Sequence, residues 1–223
     1  MPGVLSEGRP HRRAAVAALV AGLAAFALIA ALVVSGVSAT LDTAVNSGLA
    51  AQRTAAATDF FRGYTGAGQW FVITAAAVAV IATLTATSRR RAAVFLGVAV
   101  GAALLLDPLL KVVFGRTRPP AGNAATVVSG LAFPSGHSLA SATLALAVVV
   151  VAWPTRWRLP AAAVSLTFAV LMGLSRVYLG VHWLTDVLGA WTLAVAIVGG
   201  TALVIPPHAR ATSADRAAAD PPG

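Results

Sequence analysis

Six apolar runs of roughly membrane-spanning length constrain this chain more than any other feature: about 14–37, 70–87, 92–113, 134–153, 160–174 and 183–205. A hydrocarbon layer about 30 Å thick offers the backbone no hydrogen-bond partner, so such runs must satisfy their own N–H and C=O groups, as helices do. The expected fold is all-α, a polytopic membrane helix bundle of about six transmembrane helices whose partner is the lipid bilayer. Composition agrees, since 58% of the 223 residues are hydrophobic and only 10% are charged, far from the balance of a soluble domain.

Taken in order, residues 1–13 form a polar segment with Arg9, Arg12 and Arg13, expected on the cytoplasmic side. The first run reads as an uncleaved anchor. A signal peptide is the competing reading, because Val37-Ser38-Ala39 loosely resembles a cleavage site, but the run exceeds an ordinary signal-peptide core. Residues 40–68 are mixed, with Asp42, Arg53, Asp59 and Arg62, and with Phe60, Phe61 and Tyr64 near the end. They fit either a helix lying on the membrane surface or a loop packed over the bundle. A loop rich in Pro, Gly and Arg covers 114–133, and Pro160 suits the first turn of the fifth span. The expected layout is one six-helix membrane domain at 14–205, with its motifs at 111–186, and a disordered cytoplasmic tail at 206–223. No internal repeat or second domain is visible.

Charge sets the orientation. Arg9, Arg12, Arg13, the Arg89–Arg91 triplet, Arg156, Arg158, Arg210 and Arg216 all fall on one side of a six-span arrangement, the side that excess arginine assigns to the cytoplasm. The net charge of +9 would suggest nucleic acid in a soluble chain; here it flanks apolar runs, and no nucleic-acid partner is expected. Cysteine is absent, which excludes disulfides, thiolate metal sites and thiol catalysis. Fifteen arginines against one lysine point to a GC-rich bacterial genome, and so to a bacterial cytoplasmic membrane as the expected location.

Against this background, three clusters of polar residues stand out, all at the expected extracytoplasmic ends of spans. The first is Lys111-Val-Val-Phe-Gly-Arg-Thr-Arg118-Pro119, whose cations break the charge bias. Arg116 alone reads equally well as a snorkelling head-group anchor. The second is Phe133-Pro-Ser-Gly-His137-Ser138, opening the fourth span. Pro134 and Ser135 suit a helix start, Gly136 lets a ligand approach the backbone, and free amides there favour a phosphate-like anion. The third runs from Ser175 to Asp186 and holds Arg176, His182 and Asp186 between two spans. Asp186 follows His182 by four residues, so one helical face would let the carboxylate orient the imidazole. Ionisable groups at membrane depth are costly and mark function. Singly each has an ordinary structural reading; jointly that reading fails.

These three clusters resemble the signature of the type 2 phosphatidic acid phosphatase superfamily: Lys-x6-Arg-Pro, then Pro-Ser-Gly-His, then Ser-Arg-x5-His-x3-Asp, each complete and in order. The resemblance covers the half of the chain from the third span to the sixth. It implies an integral membrane lipid phosphatase that works without a metal or other cofactor. His182 would be the nucleophile that forms a phosphohistidine, and Asp186 would hold its other nitrogen. Lys111, Arg118 and Arg176, with the Ser135 hydroxyl and the Gly136 amide, would bind the phosphate oxygens. His137 would protonate the leaving oxygen and then activate water.

The expected substrate is a lipid phosphate of the outer leaflet, foremost undecaprenyl diphosphate cut to the monophosphate, with phosphatidic acid or phosphatidylglycerol phosphate as the alternative. A binding or flipping protein could use the same cations without needing His137, His182 and Asp186 together. A vanadate-dependent oxidase shares the pocket, but that branch is soluble. Asp107, four residues before Lys111, is placed for a helical ion pair, although Pro108 could distort the turn. Tyr178, Trp183 and Trp191 read as interfacial anchors or packing residues.

Overall fold

The computed structural model describes the backbone of residues 8–208 apart from residue 127, and side chains from His11 onward. The tail expected at 206–223 thus lies outside the described residues from 209 on, as do Arg210 and Arg216. Eight helices make up the described chain: α1 (Gly8–Val34), α2 (Ala39–Ala51), α3 (Ala55–Thr65), α4 (Trp70–Ala86), α5 (Arg90–Phe114), α6 (Gly136–Ala152), α7 (Arg158–Tyr178) and α8 (Leu184–Val204). No strand occurs among the described residues.

The six apolar runs correspond to α1 and α4 to α8. Four of these, α1, α5, α7 and α8, are long and apolar enough to cross a membrane by themselves. The other two, α4 and α6, have 17 residues each and at 1.5 Å per residue reach only about 26 Å. α3 and α4 meet at a bend of 56° and together pass as a broken span. α6 is buried along most of its length among α5, α7 and α8, and the irregular chain just before it, from Ala132 to Ser135, is buried as well, the condition under which a membrane tolerates open backbone.

Small residues govern the packing. Ala99, Ala103, Ala142, Ala145, Ala169, Ala190 and Ala194 form a buried core of α5 to α8, and side chains of this size let helix backbones approach. α1 lies along α8 at the closest spacing: a Cβ at Gly22 would stand 2.6 Å from the Ala196 nitrogen, and one at Gly199 would stand 2.7 Å from the Leu19 nitrogen. Larger side chains face outward, among them Leu28, Leu105, Val112, Val164 and Val204, as a lipid-facing belt requires.

Residues 40–68 pack over the bundle, as one of the two expected readings has it, but they do so as helices α2 and α3 and not as a loop. α2 turns Ser38, Asp42 and Asn46, spaced by four, into the protein, where Asp42 and Asn46 are each 1% exposed. The two helices cover the end of the bundle where α7 stops and α8 starts. Leu49, Ala57 and Phe61 pack on Tyr178, Leu179 and Val181. Arg53 Nε donates to the Tyr178 carbonyl at 2.7 Å, and the Tyr178 hydroxyl accepts from the Thr54 N–H at 3.2 Å. Tyr178 is therefore a packing residue.

The two ends of the bundle differ in chemistry. At one end Arg89 donates to the Val151 carbonyl at 2.8 Å, beside Arg90 and Arg91. At the other end lie the C-termini of α5 and α7, the N-termini of α6 and α8, and all three polar clusters.

Candidate active site

The third cluster gives the site its geometry. α7 ends at Tyr178, Gly180 turns the chain with φ of 70°, and α8 starts after Trp183, which leaves His182 in the connection and Asp186 in the first turn of α8. His182 is 2% exposed and Asp186 fully buried. His182 Nδ1 lies 3.2 Å from Asp186 Oδ2, and the same oxygen accepts from the Trp183 N–H at 2.9 Å. His182 Nε2 stands 3.0 Å from Arg118 Nη1. A carboxylate on one side and a guanidinium on the other select one tautomer, with Nδ1 protonated and the Nε2 lone pair directed at a cation. An anion arriving at Arg118 meets that lone pair.

Burial holds the His182 imidazole well below the ordinary histidine value, at about 4; Asp186 pulls it up through its hydrogen bond and charge, and Arg118 and Arg176 push it down. Its neutral form persists as pH falls, and protonation near pH 4 removes the Nε2 lone pair. The unfolded chain would gain that proton near pH 6.5, so stability due to this group declines as pH falls from about 6.5 to about 4. Histidine ¹⁵N NMR should show a neutral, Nδ1-protonated His182 ring down to about pH 4. Titration at an ordinary value near 6.5 would contradict this.

The first cluster sits at the end of α5, where Gly115 in the left-handed region (φ 58°) donates its N–H to the Lys111 carbonyl at 2.9 Å, the usual glycine stop. The helix continues through Pro108, and Lys111 Nζ contacts both oxygens of Asp107 at 2.8 and 2.6 Å. The pair expected between Asp107 and Lys111 is thus formed. Arg118 is tied to the carbonyls of Val181 at 2.7 Å and Gly130 at 3.0 Å. Arg116 is no head-group anchor: it is ion-paired at 2.6 Å to both Asp186 and Asp42.

The second cluster opens α6. Gly136, His137 and Ser138 are its first residues, whose N–H groups have no partner within the helix. Ser135, fully buried, places its hydroxyl 2.9 Å from that of Ser138, and its N–H donates to the Asp186 carbonyl at 3.1 Å, which joins the α6 and α8 starts. A Cβ at Gly136 would lie 2.7 Å from Asp107 Oδ2, so the missing side chain makes room for the Asp107–Lys111 pair. His137 packs so tightly under Gly68 that a Cβ there would lie 2.7 Å from its ring, and its Nε2 is buried without a partner among the described residues. The ring lies within electrostatic reach of Arg176, His182, Lys111 and Arg118.

Arg176, 3% exposed on α7, donates from Nη1 to the Thr65 hydroxyl and keeps its Nε buried and unpartnered among the described residues. The eight residues expected at the site, Lys111, Arg118, Ser135, Gly136, His137, Arg176, His182 and Asp186, therefore all belong to one end of the bundle. Sequence reasoning missed Asp42, Thr65 and Thr185. For Asp42 a signal existed, since the chain has only seven acidic residues and an acid near an apolar run needs a partner. Trp183 is more than an anchor: its indole donates to the Thr117 carbonyl at 2.9 Å and lies beneath the Arg116 guanidinium.

Such a site can bind a tetrahedral anion through fixed cations and helix N-termini and hold an imidazole nitrogen in line with it.

Comparison with known proteins points the same way. Residues 92–210 match the model of the PAP2 superfamily. Phosphatidylglycerophosphatase B of Bacillus subtilis is 38% identical over 103 residues, 42% of this chain and 48% of that protein. Phosphatidylglycerophosphatase B of Escherichia coli is 40% identical over 70 residues, 31% and 27% of the two chains. Undecaprenyl-diphosphatase of Sulfolobus acidocaldarius is 32% identical over 96 residues, 41% and 44%. The chain thus spans about half the length of these curated relatives, or less. The crystal structure of a transmembrane PAP2-type phosphatidylglycerolphosphate phosphatase from Bacillus subtilis superposes with a TM-score of 0.73 at 26% identity, over 83% of this chain and 94% of that one.

Proposed function

This chain belongs to the PAP2 superfamily, and from that premise we propose that it is an integral membrane lipid phosphatase working through a phosphohistidine at His182. The observation that carries the reading is the His182 ring, held by Asp186 at Nδ1 and facing Arg118 at Nε2. In the first step the Nε2–phosphorus bond forms and the bond from phosphorus to the leaving oxygen breaks. That oxygen takes the electron pair and a proton from His137. Asp186 stabilises the cationic ring left on His182. In the second step His137 takes a proton from water, the water oxygen bonds to phosphorus, and the pair of the broken N–P bond returns to Nε2. Lys111, Arg118 and Arg176, with the Gly136 amide and the Ser135 hydroxyl, hold the non-bridging oxygens as charge builds in the transition state.

The arginine-rich end of the bundle faces the cytoplasm of a bacterium, so the site opens to the extracytoplasmic leaflet. A lipid phosphate there leaves its tail in the bilayer. Undecaprenyl diphosphate is the leading substrate; the resemblance to a named undecaprenyl-diphosphatase supports it. Phosphatidylglycerol phosphate is the second reading, favoured by the two phosphatidylglycerophosphatases among the relatives.

Purified protein in detergent should release phosphate with excess EDTA present, since the cradle uses arginine, lysine and imidazole where a metal enzyme would use carboxylates. Rates on undecaprenyl diphosphate, phosphatidylglycerol phosphate and phosphatidic acid should differ and identify the lipid. Loss of turnover on chelation, restored by a divalent ion, would overturn the metal-free mechanism.

A further inference from the structure

We infer that Asp42, on α2 and outside the stretch that matches the family, is a positioning residue for the nucleophile. Acting through Arg116, it fixes the Asp186 carboxylate and keeps the charge of that carboxylate available to His182. The inference rests on the phosphatase reading.

Asp42 is 1% exposed and makes three hydrogen bonds. Its Oδ2 accepts from Arg116 Nη2 at 2.6 Å and from the Thr185 hydroxyl at 2.6 Å, and its Oδ1 accepts from the Thr185 N–H at 3.0 Å. The other terminal nitrogen of Arg116 donates to Asp186 Oδ1 at 2.6 Å and to the Thr185 hydroxyl at 2.7 Å. The remaining Asp186 oxygen faces His182 Nδ1. Four side chains therefore form one line, Asp42, Arg116, Asp186 and His182, buried except at the half-buried Arg116, with the Thr185 hydroxyl as a joint that accepts from Arg116 and donates to Asp42.

Two physical consequences follow from that line. Thr185 and Asp186 belong to the first turn of α8, where free N–H groups and the helix dipole favour a carboxylate. Asp42 supplies one from another helix and so fixes the turn that carries Asp186. The second consequence is electrostatic. If Arg116 paired with Asp186 alone, the pair would be neutral and the guanidinium would compete with the imidazole for the carboxylate. Shared between two carboxylates, Arg116 leaves the trio with one net negative charge, which the ring matches when phosphorylation makes it cationic. Burial strengthens both effects, since charges interact more strongly away from water. The phosphate cradle of Lys111, Arg118 and Arg176 takes no bond from Asp42, so the two functions separate.

Asp42→Asn keeps the shape and removes the charge. It should lower kcat about 10- to 100-fold while KM and inhibition by inorganic phosphate stay within about twofold. In an Asp186→Asn background the same change should cost no more than about twofold, because the path it acts through is already cut. Without substrate, the downfield Nδ1–H proton of His182, identified by its loss in His182→Gln, should move upfield in Asp42→Asn. Thr185→Val leaves every charge in place and should move that proton in the same direction by less. An unchanged kcat, losses that multiply in the double variant, phosphate inhibition lost together with kcat, or an unmoved proton signal would each overturn the inference. A wild-type protein that hydrolyses none of the lipids would overturn the phosphatase reading instead, and the proton signal would still decide whether Asp42 is coupled to His182.

Discussion

His182→Ala is expected to lower phosphate release by about 10⁴-fold or more. The size follows from what the change removes. The Nε2 lone pair is the group held towards Arg118, at 3.0 Å, and among the described residues no other side-chain nucleophile hydrogen-bonds to that guanidinium. Alanine leaves the fixed cations in place, so affinity for inorganic phosphate should survive within a few-fold while turnover does not. That split separates an enzyme from a lipid-phosphate binding or flipping protein, which would retain its function in the variant. A rate within about tenfold of the parent would mean that water attacks phosphorus directly, and the phosphohistidine would have to be abandoned. Phosphate release by purified variant in detergent, beside phosphate affinity by calorimetry, makes the comparison.

The polar clusters were legible because each sets ionisable residues against long apolar runs, where chance rarely leaves them. Helix identity was legible for the same reason, since runs such as 92–113 admit little else in a bilayer. The role of residues 40–68 was not. Ser38, Asp42 and Asn46 form one face of α2, but alanine, glycine and threonine around them give no strong apolar stripe on the opposite side, so the face that points inward cannot be ranked by hydropathy. Arg116 was misleading in another way. Its position in a basic stretch at a span end suits a snorkelling side chain, and only the fold brings Asp42 and Asp186 to its two terminal nitrogens. The bend between α3 and α4 was equally hidden: Gly68, at the bend, packs against His137 and Met172, residues far away in the sequence.

Two buried acids facing one half-buried arginine would be an expensive arrangement in a membrane protein if it served stability alone, because buried ion pairs seldom recover their desolvation cost. Here the cost falls beside His182, the histidine proposed as the nucleophile. Asp107 likewise fixes Lys111 against the start of α6. In each case an acid fixes a cation, and in the proposed mechanism Lys111 binds phosphate while Arg116 holds Asp186, so an ångström of imprecision at either would be costly to rate.

His137→Ala should separate the two steps, and in a way that depends on the leaving group. Cleavage of a phosphate monoester expels an alcohol oxygen, which is a poor leaving group unless protonated. Cleavage of a diphosphate expels a phosphate, which departs with little help. Without His137, phosphatidylglycerol phosphate should fail at the first step and show a loss of about 10²- to 10⁴-fold with no covalent intermediate. Undecaprenyl diphosphate should instead phosphorylate His182 readily and then stall, because water has no base to activate it. With ³²P-labelled substrates, the label should accumulate on the protein only for the diphosphate, as an acid-labile, base-stable adduct absent from His137→Ala/His182→Ala. The ring's surroundings fit this division of labour: its Nε2 is buried and free of protein partners among the described residues, and Gly68, which has no side chain, leaves room beside the adjoining Cδ2. Equal labelling by both substrates would show that His137 does not protonate the leaving oxygen, and an unchanged steady-state rate would remove it from both steps.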